Sequence, residues 1–162
     1  MEQIRQASSD DLDRIGELVA DFVVDRARLR GAGLTRTVDE GGVVPDPTGT
    51  SLAHYVTHPN QLALVGTLDD WVAAVALCRV DDGGGERRGV LDVCFVDPGA
   101  REVGLGHLLL ERSLEWFGVQ RCCGVDGTAF PGDRMAKSFF EAAGFKARLL
   151  VMHLPIDGQP TD

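Results

Sequence analysis

Leu12, Ile15, Val19 and Phe22 recur at i, i+3, i+7 and i+10, which lays one apolar stripe along a helix running to about Arg30. Before it, Gln3–Ala7 reads as a short strand, and Ser8 with Asp11 three residues on is an acidic variant of a capping box. The basic residues Arg26, Arg28 and Arg30 fall at the C-terminal, exposed side of that helix, where its dipole favours them. Residues 31–50 are rich in Gly, Pro and Thr and read as a loop. Ser51–Thr57 reads as a short helix ended by His58-Pro59.

The period then changes. Gln61–Thr67 and Trp71–Val80 are apolar, β-compatible runs joined by Leu68-Asp69-Asp70, a hairpin pattern. Asp82–Gly85 is a turn, and Val90–Val96 is a third strand that stops at Asp97-Pro98-Gly99. Leu105, Leu109, Leu110, Leu114 and Phe117 restore helical spacing over about Glu102–Phe117. Cys122–Ala129 reads as a strand. Ala136, Phe139, Phe140 and Ala143 mark a last helix, with Gly144 as its C′ glycine, and Phe145–Leu154 reads as a closing strand. The order predicts one mixed α/β domain over 1–162, with helices flanking a mostly antiparallel central sheet and a polar tail over 158–162.

Charge narrows the function. Acids outnumber bases for a net charge of −9, and all of the excess lies in the first 120 residues. That disfavours nucleic acid, which needs a basic stripe, and anionic membrane surfaces. No apolar run reaches transmembrane length, and the N-terminal residues carry no apolar leader. The four cysteines form no C-x-x-C pair, so buried reduced thiols and a cytoplasmic location are expected, with no metal site. His54 and His58 lie four apart without an acidic or Cys neighbour, a poor metal set.

The chemistry concentrates where the third strand gives way to a helix. Arg101-x-x-Gly104-x-Gly106 places glycines at a helix start, where unpaired N–H groups and the dipole favour an anion. The third glycine of a dinucleotide fingerprint is replaced by Leu109, and no Gly-Lys-Ser/Thr follows. Within 97–107 Arg101 stands against Asp97 and Glu102, so backbone dipoles rather than side-chain charge must hold a phosphate. Arg101 itself is either a phosphate ligand or the partner of Asp97 or Glu102.

Val96-x-Pro98-x-x-Arg101-x-x-Gly104-x-Gly106 resembles the acyl-CoA pyrophosphate loop of the GNAT acetyltransferase superfamily. Downstream, Asp133-x-x-Ala136-x-x-Phe139-Phe140-x-x-x-Gly144-Phe145 resembles its second CoA-binding segment, and the element order matches over nearly the whole chain. The resemblance implies that acetyl-CoA, as co-substrate, sits in a gap between the strands Val90–Val96 and Cys122–Ala129. Backbone N–H groups of Arg101, Glu102, Val103, Gly104, Leu105, Gly106 and His107 would cradle the pyrophosphate. Phe95 and Val96 would pair with the pantetheine arm, and Asp133, Ala136 and Phe140 would line its other side.

It further implies acetyl transfer to a primary amine, either a small molecule or a protein, by direct attack in a ternary complex. Homodimers are common among similar proteins. Asp92, where the family often has Glu, is the candidate general base; in a regular strand it shares a face with Cys94 and Val96. The alternative for Asp92 is an ion pair with an arginine. The acid usual in the family is a Tyr at the position of Phe140, so Ser138 or Tyr55 stands in, or the thiolate leaves unassisted, or the chain binds CoA without catalysis. Residues 31–50 resemble the family's variable acceptor wall, and Asp39, Glu40 and Asp46 there suit a cationic amine or are simply solvated.

Overall fold

The computed structural model describes residues 1–29, 51–152, 154 and 156. The strands are β1 (Glu2–Gln6), β2 (Gln61–Leu68), β3 (Trp71–Asp81), β4 (Arg88–Val96) and β5 (Val125–Gly127). The helices are α1 (Leu12–Ala27), α2 (Leu52–Thr57), α3 (Leu105–Val119) and α4 (Arg134–Ala142). The sheet order is β1-β2-β3-β4-β5, antiparallel except for the parallel pair β4–β5. This is the mixed, mostly antiparallel architecture that the residue pattern predicts.

The sheet separates two apolar layers. On one face Ile15, Leu18 and Val19 of α1 and Tyr55 of α2 pack on Ala63, Val65, Val75, Leu77, Val93 and Phe95. On the other, Leu105, Leu109, Leu110 and Phe117 of α3 pack on Leu62, Leu64, Ala74, Ala76, Cys78 and Leu91, with Phe139 and Phe140 of α4 alongside. Burying these side chains, about 1.5–3 kcal/mol for each large one, is what orients both helical layers.

Local chemistry explains the joints. Asp69 and Asp70 take φ of 48° and 68°, the two left-handed residues of a turn whose twist matches its flanking strands. The Ser8 N–H donates to the Asp11 carboxylate at 2.8 Å, and Asp11 accepts two bonds from Arg5 at 2.7 and 2.8 Å, tying β1 to the start of α1. Gly144 follows α4 with φ 92°.

Three expectations fail. Phe145–Leu154 forms no strand among its described residues: a strand needs a ladder, and the nearest edge, β5, offers only three residues. Phe145 packs on Phe140 and Arg148 pairs with Asp126 of β5 at 3.0 Å, but Leu149, Leu150, Val151 and Met152 lie exposed. The strand expected over Cys122–Ala129 contracts to Val125–Gly127, since Arg121 turns back with φ 59°. Arg26 is buried rather than exposed, with its guanidinium over the rings of Phe22 (4.8 Å) and Phe130 (4.5 Å). The helix itself ends at Ala27, and Arg28 is exposed.

All four cysteines are free; Cys78 and Cys94 have thiols pushed up to about 12 by burial, whereas Cys123 is exposed. Arg30, Asp39, Glu40, Asp46 and the 158–162 tail lie outside the described residues. No helix among the described residues is long and apolar enough to cross a membrane.

Candidate active site

β4 and β5 pair over three positions, Gly89↔Val125, Val90↔Asp126 and Leu91↔Gly127. Beyond Leu91, β4 continues for five residues to Val96, while β5 ends at Gly127. Asp92–Val96 therefore presents a row of main-chain groups with no strand among the described residues on that side, an edge able to pair with an extended ligand. The first contact of β4 beyond its end is a cap: the Asp97 side chain accepts from Gly99 N–H at 2.9 Å, and a one-turn 3-10 helix (Pro98–Ala100) delivers the chain to the glycine loop.

That loop is left-handed twice. Glu102 has φ 77° and Gly104 has φ 88°, and Gly104 is the N-cap of α3. A Cβ on Gly104 would meet nothing within 4 Å, so the backbone there faces open space. Only His107 and Leu108 bond back to the Gly104 carbonyl, leaving the N–H groups of Leu105 and Gly106 without intrahelical partners. Val103, Glu102 and Arg101 are exposed beside them. The junction thus has the features of an anion cradle made of main chain.

Arg101 pairs with neither Asp97 nor Glu102. Its Nε donates to the Val96 carbonyl at 3.2 Å, its guanidinium reaches Asp25 of α1 at 3.3 Å, and it lies over the Phe95 ring. Asp97 instead pairs with Arg14 at 3.0 Å, and Arg14 also donates to the Val72 carbonyl. On the opposite wall, Asp133 caps α4 by accepting from Ala136 N–H at 2.9 Å. His107 meets Phe139 edge to face at 5.2 Å, joining the two helices of this layer. The ring of Phe140 lies against Gly127 of β5 and against Phe139 and Phe145.

Asp92 departs from the regular strand. Leu77 pairs with Val93 but Cys78 pairs with Leu91, so Asp92 is an extra, bulged residue. The slip puts Leu91 on the α3 face and Asp92 on the α1/α2 face, away from Cys94 and Val96, whose face it would share in an unbroken strand. There Tyr55 Oη donates to Oδ2 at 2.8 Å, and Arg79 Nε lies 3.1 Å from Oδ1 and 2.9 Å from Oδ2. Burial raises the carboxyl above its ordinary range, against the opposing pull of Arg79, the Tyr55 bond and Arg26. Burial, and then Asp92 itself, also raises Tyr55 and holds its proton.

Arg79 is a partner of Asp92 that the residue pattern does not assign, and Arg26, expected on the exposed side of α1, adds its charge here instead. Arg79 did leave a signal: it is the one basic residue in the long apolar run of β3. His54, His58 and Ser138 are exposed.

The fold and this junction define a class. The sequence profile of the acetyltransferase (GNAT) family matches residues 32–145, and the chain belongs to that family. Its fold is similar to a tetramutant of the BH1408 protein of Bacillus halodurans (TM-score 0.73, 17% identity, 95% of this chain and 99% of that one). It is similar to a predicted acetyltransferase with acetyl-CoA from Clostridium acetobutylicum (TM-score 0.70, 13% identity, 96% of each chain). It is also similar to AAC(6')-Iy in complex with a bisubstrate analogue, CoA-S-monomethyl-acetylneamine (TM-score 0.66, 17% identity, 96% and 98%). No curated protein sequence matches the chain.

Proposed function

We propose that this protein moves an acetyl group from acetyl-CoA to a primary amine by direct attack in a ternary complex. The observation that carries the reading is the divergence of β4 from β5 after Leu91, with an open, glycine-capped helix start at the far end of the freed strand. The residues present suit the co-substrate: the N–H groups from Arg101 to Gly106 would take the pyrophosphate, that of His107 being given already to the Gly104 carbonyl, and the freed edge at Phe95 and Val96 would take the pantetheine amides. Asp133, Ala136 and Phe140 would bound the arm on its other side. One β4 N–H aimed at the thioester carbonyl would stabilise its developing negative charge.

The balance of the transfer is simple. The amine nitrogen bonds to the carbonyl carbon, the C–S bond breaks, the nitrogen gives up a proton, and the CoA thiolate leaves. Holding both reactants together supplies much of the acceleration. Asp92 is the proton acceptor in this reading. Its carboxylate is enclosed, so the proton would travel through water rather than by direct contact. Tyr55 is a poor replacement for the missing acid, because its hydroxyl is already donated to Asp92 and its proton is held tightly. Ser138 is exposed on α4. The thiolate leaves unassisted, which its pKa, near that of a cysteine side chain, permits at neutral pH. The acidic excess of the first 120 residues favours an amine that arrives cationic and gives one proton to solvent to become the neutral nucleophile before the transfer.

A second reading, a CoA-binding module without turnover, draws on Phe140 in place of Tyr and on an Asp92 whose oxygens are both hydrogen-bonded. Calorimetric titration with acetyl-CoA and a thiol-release assay over a panel of primary amines separate them. Binding with turnover is expected; binding without turnover favours the module, and no binding at millimolar acetyl-CoA overturns both.

A further inference from the structure

The bulge and the split coincide. The parallel ladder of β4 with β5 ends at Leu91, and the pairing slip of β4 against β3 falls at the very next residue, Asp92. The side chain that the bulge turns inward is then held from two other elements. Tyr55 comes from α2 and Arg79 from β3, and Arg26 of α1 adds positive charge to the same pocket. The Asp92 side chain is 1% exposed and that of Arg79 is 23% exposed.

Carboxylates so enclosed ordinarily take up a proton, because desolvation penalises the charge. A protonated Asp92 accepts nothing from an amine. The cluster opposes this outcome at both oxygens, with a full positive charge from Arg79 and a neutral donor from Tyr55.

We propose that Tyr55 and Arg79 are positioning residues of acetyl transfer: they hold Asp92 as an ionised, single-orientation carboxylate at the point where β4 parts from β5. The inference rests on the reading of Asp92 as proton acceptor. It ranks the two partners, since loss of Arg79 removes a charge and loss of Tyr55 removes only a neutral hydrogen bond. It also distinguishes positioning from plain packing, because packing alone would alter stability without moving the titration of Asp92.

The test follows the Asp92 Cγ resonance of 13C-aspartate-labelled protein against pH, assigned by its loss in Asp92→Asn. Variants whose melting shows a cooperative fold are used. Tyr55→Phe is expected to raise the midpoint by about one pH unit, Arg79→Gln by more, and Arg79→Lys to recover part of the Arg79→Gln shift. Acetyl-CoA affinity, measured by titration, is expected to stay within about twofold, because none of these groups lies in the glycine loop. The acid limb of thiol release, read with amines from the panel, is expected to move with the midpoint. An unmoved midpoint in both Tyr55→Phe and Arg79→Gln overturns the inference, as does a midpoint that moves without the acid limb. If Asp92→Asn keeps the full rate, or no amine supports turnover, the reading beneath it fails and the inference with it. If Asp92→Asn abolishes the acid limb while Tyr55→Phe and Arg79→Gln preserve it, only the present inference fails.

Discussion

Gly104 and Glu102 both take a left-handed φ and differ in whether a side chain pays for it. Gly104→Ala forces a Cβ into the left-handed region at φ 88°, which costs about 1–2 kcal/mol. No clash adds to this, since nothing lies within 4 Å of the new atom. For a chain of this size each kcal/mol lowers Tm by about 2–4 °C, so calorimetric melting should fall by about 2–8 °C. The methyl group would stand in the space that a phosphate needs to approach the N–H groups of the loop. Losing one hydrogen bond to a charged oxygen, about 1.5–3 kcal/mol, weakens acetyl-CoA binding by roughly 10- to 150-fold. Glu102→Gly does the reverse. It relieves left-handed strain at φ 77°, offset in part by the greater freedom of an unfolded glycine, and it removes a carboxylate from beside the site. Its Tm should hold or rise by a degree or two, about 0.5 kcal/mol in all, with acetyl-CoA bound more tightly. A Gly104→Ala protein with the expected loss of Tm and unchanged acetyl-CoA affinity would show that the pyrophosphate sits elsewhere.

Two further outcomes test other parts of the structure. Arg5 first, and then the Ser8 N–H, hold the Asp11 carboxyl down at about 2. A depressed folded pKa stabilises above the unfolded value near 4 and loses that contribution as pH falls toward 2. With Arg5 41% exposed, solvent screening leaves about 1–2 kcal/mol of it. Urea unfolding of Asp11→Asn should therefore show that deficit at pH 7 and only a small part of it near pH 2, where the folded carboxyl is half protonated; a deficit equal at both would refute the linkage. Phe140→Tyr restores the residue usual in the family, but its hydroxyl would extend from a Cζ only 2.6 Å from where a Cβ on Gly127 would sit. A stability loss of about 1–2 kcal/mol is expected in denaturant unfolding, without faster thiol release; a rate gain would show that the ring tip reaches the reacting sulfur.

What the residue pattern reveals here is whatever a single segment decides. The β2–β3 hairpin is legible because Asp69 and Asp70 tolerate left-handed φ between two apolar runs. The start of α3 is legible because glycines and a strand-ending proline mark it. The orientation of Asp92 is not, since a bulge is an offset between two strands and strict alternation along one of them points the wrong way. The Asp25–Arg101 pair, 76 residues apart, leaves no local trace. Phe145–Leu154 has strand composition, yet composition cannot supply the missing edge for it to pair with. Arg26 looked like a solvated dipole partner because its ring contact Phe130 lies far along the chain.

The three-position ladder between β4 and β5 also sets a clock. Amide protons in β2, β3 and the first part of β4 sit in ladders flanked on both sides, whereas those of Val125–Gly127 depend on a seam that one local opening removes. Deuterium should therefore enter β5, together with the cleft-facing amides of the freed β4 length, earliest among the strands that follow α2. A ligand lying along the freed length of β4 would slow entry into those β4 amides, so their exchange time becomes a record of how long the cleft stays filled.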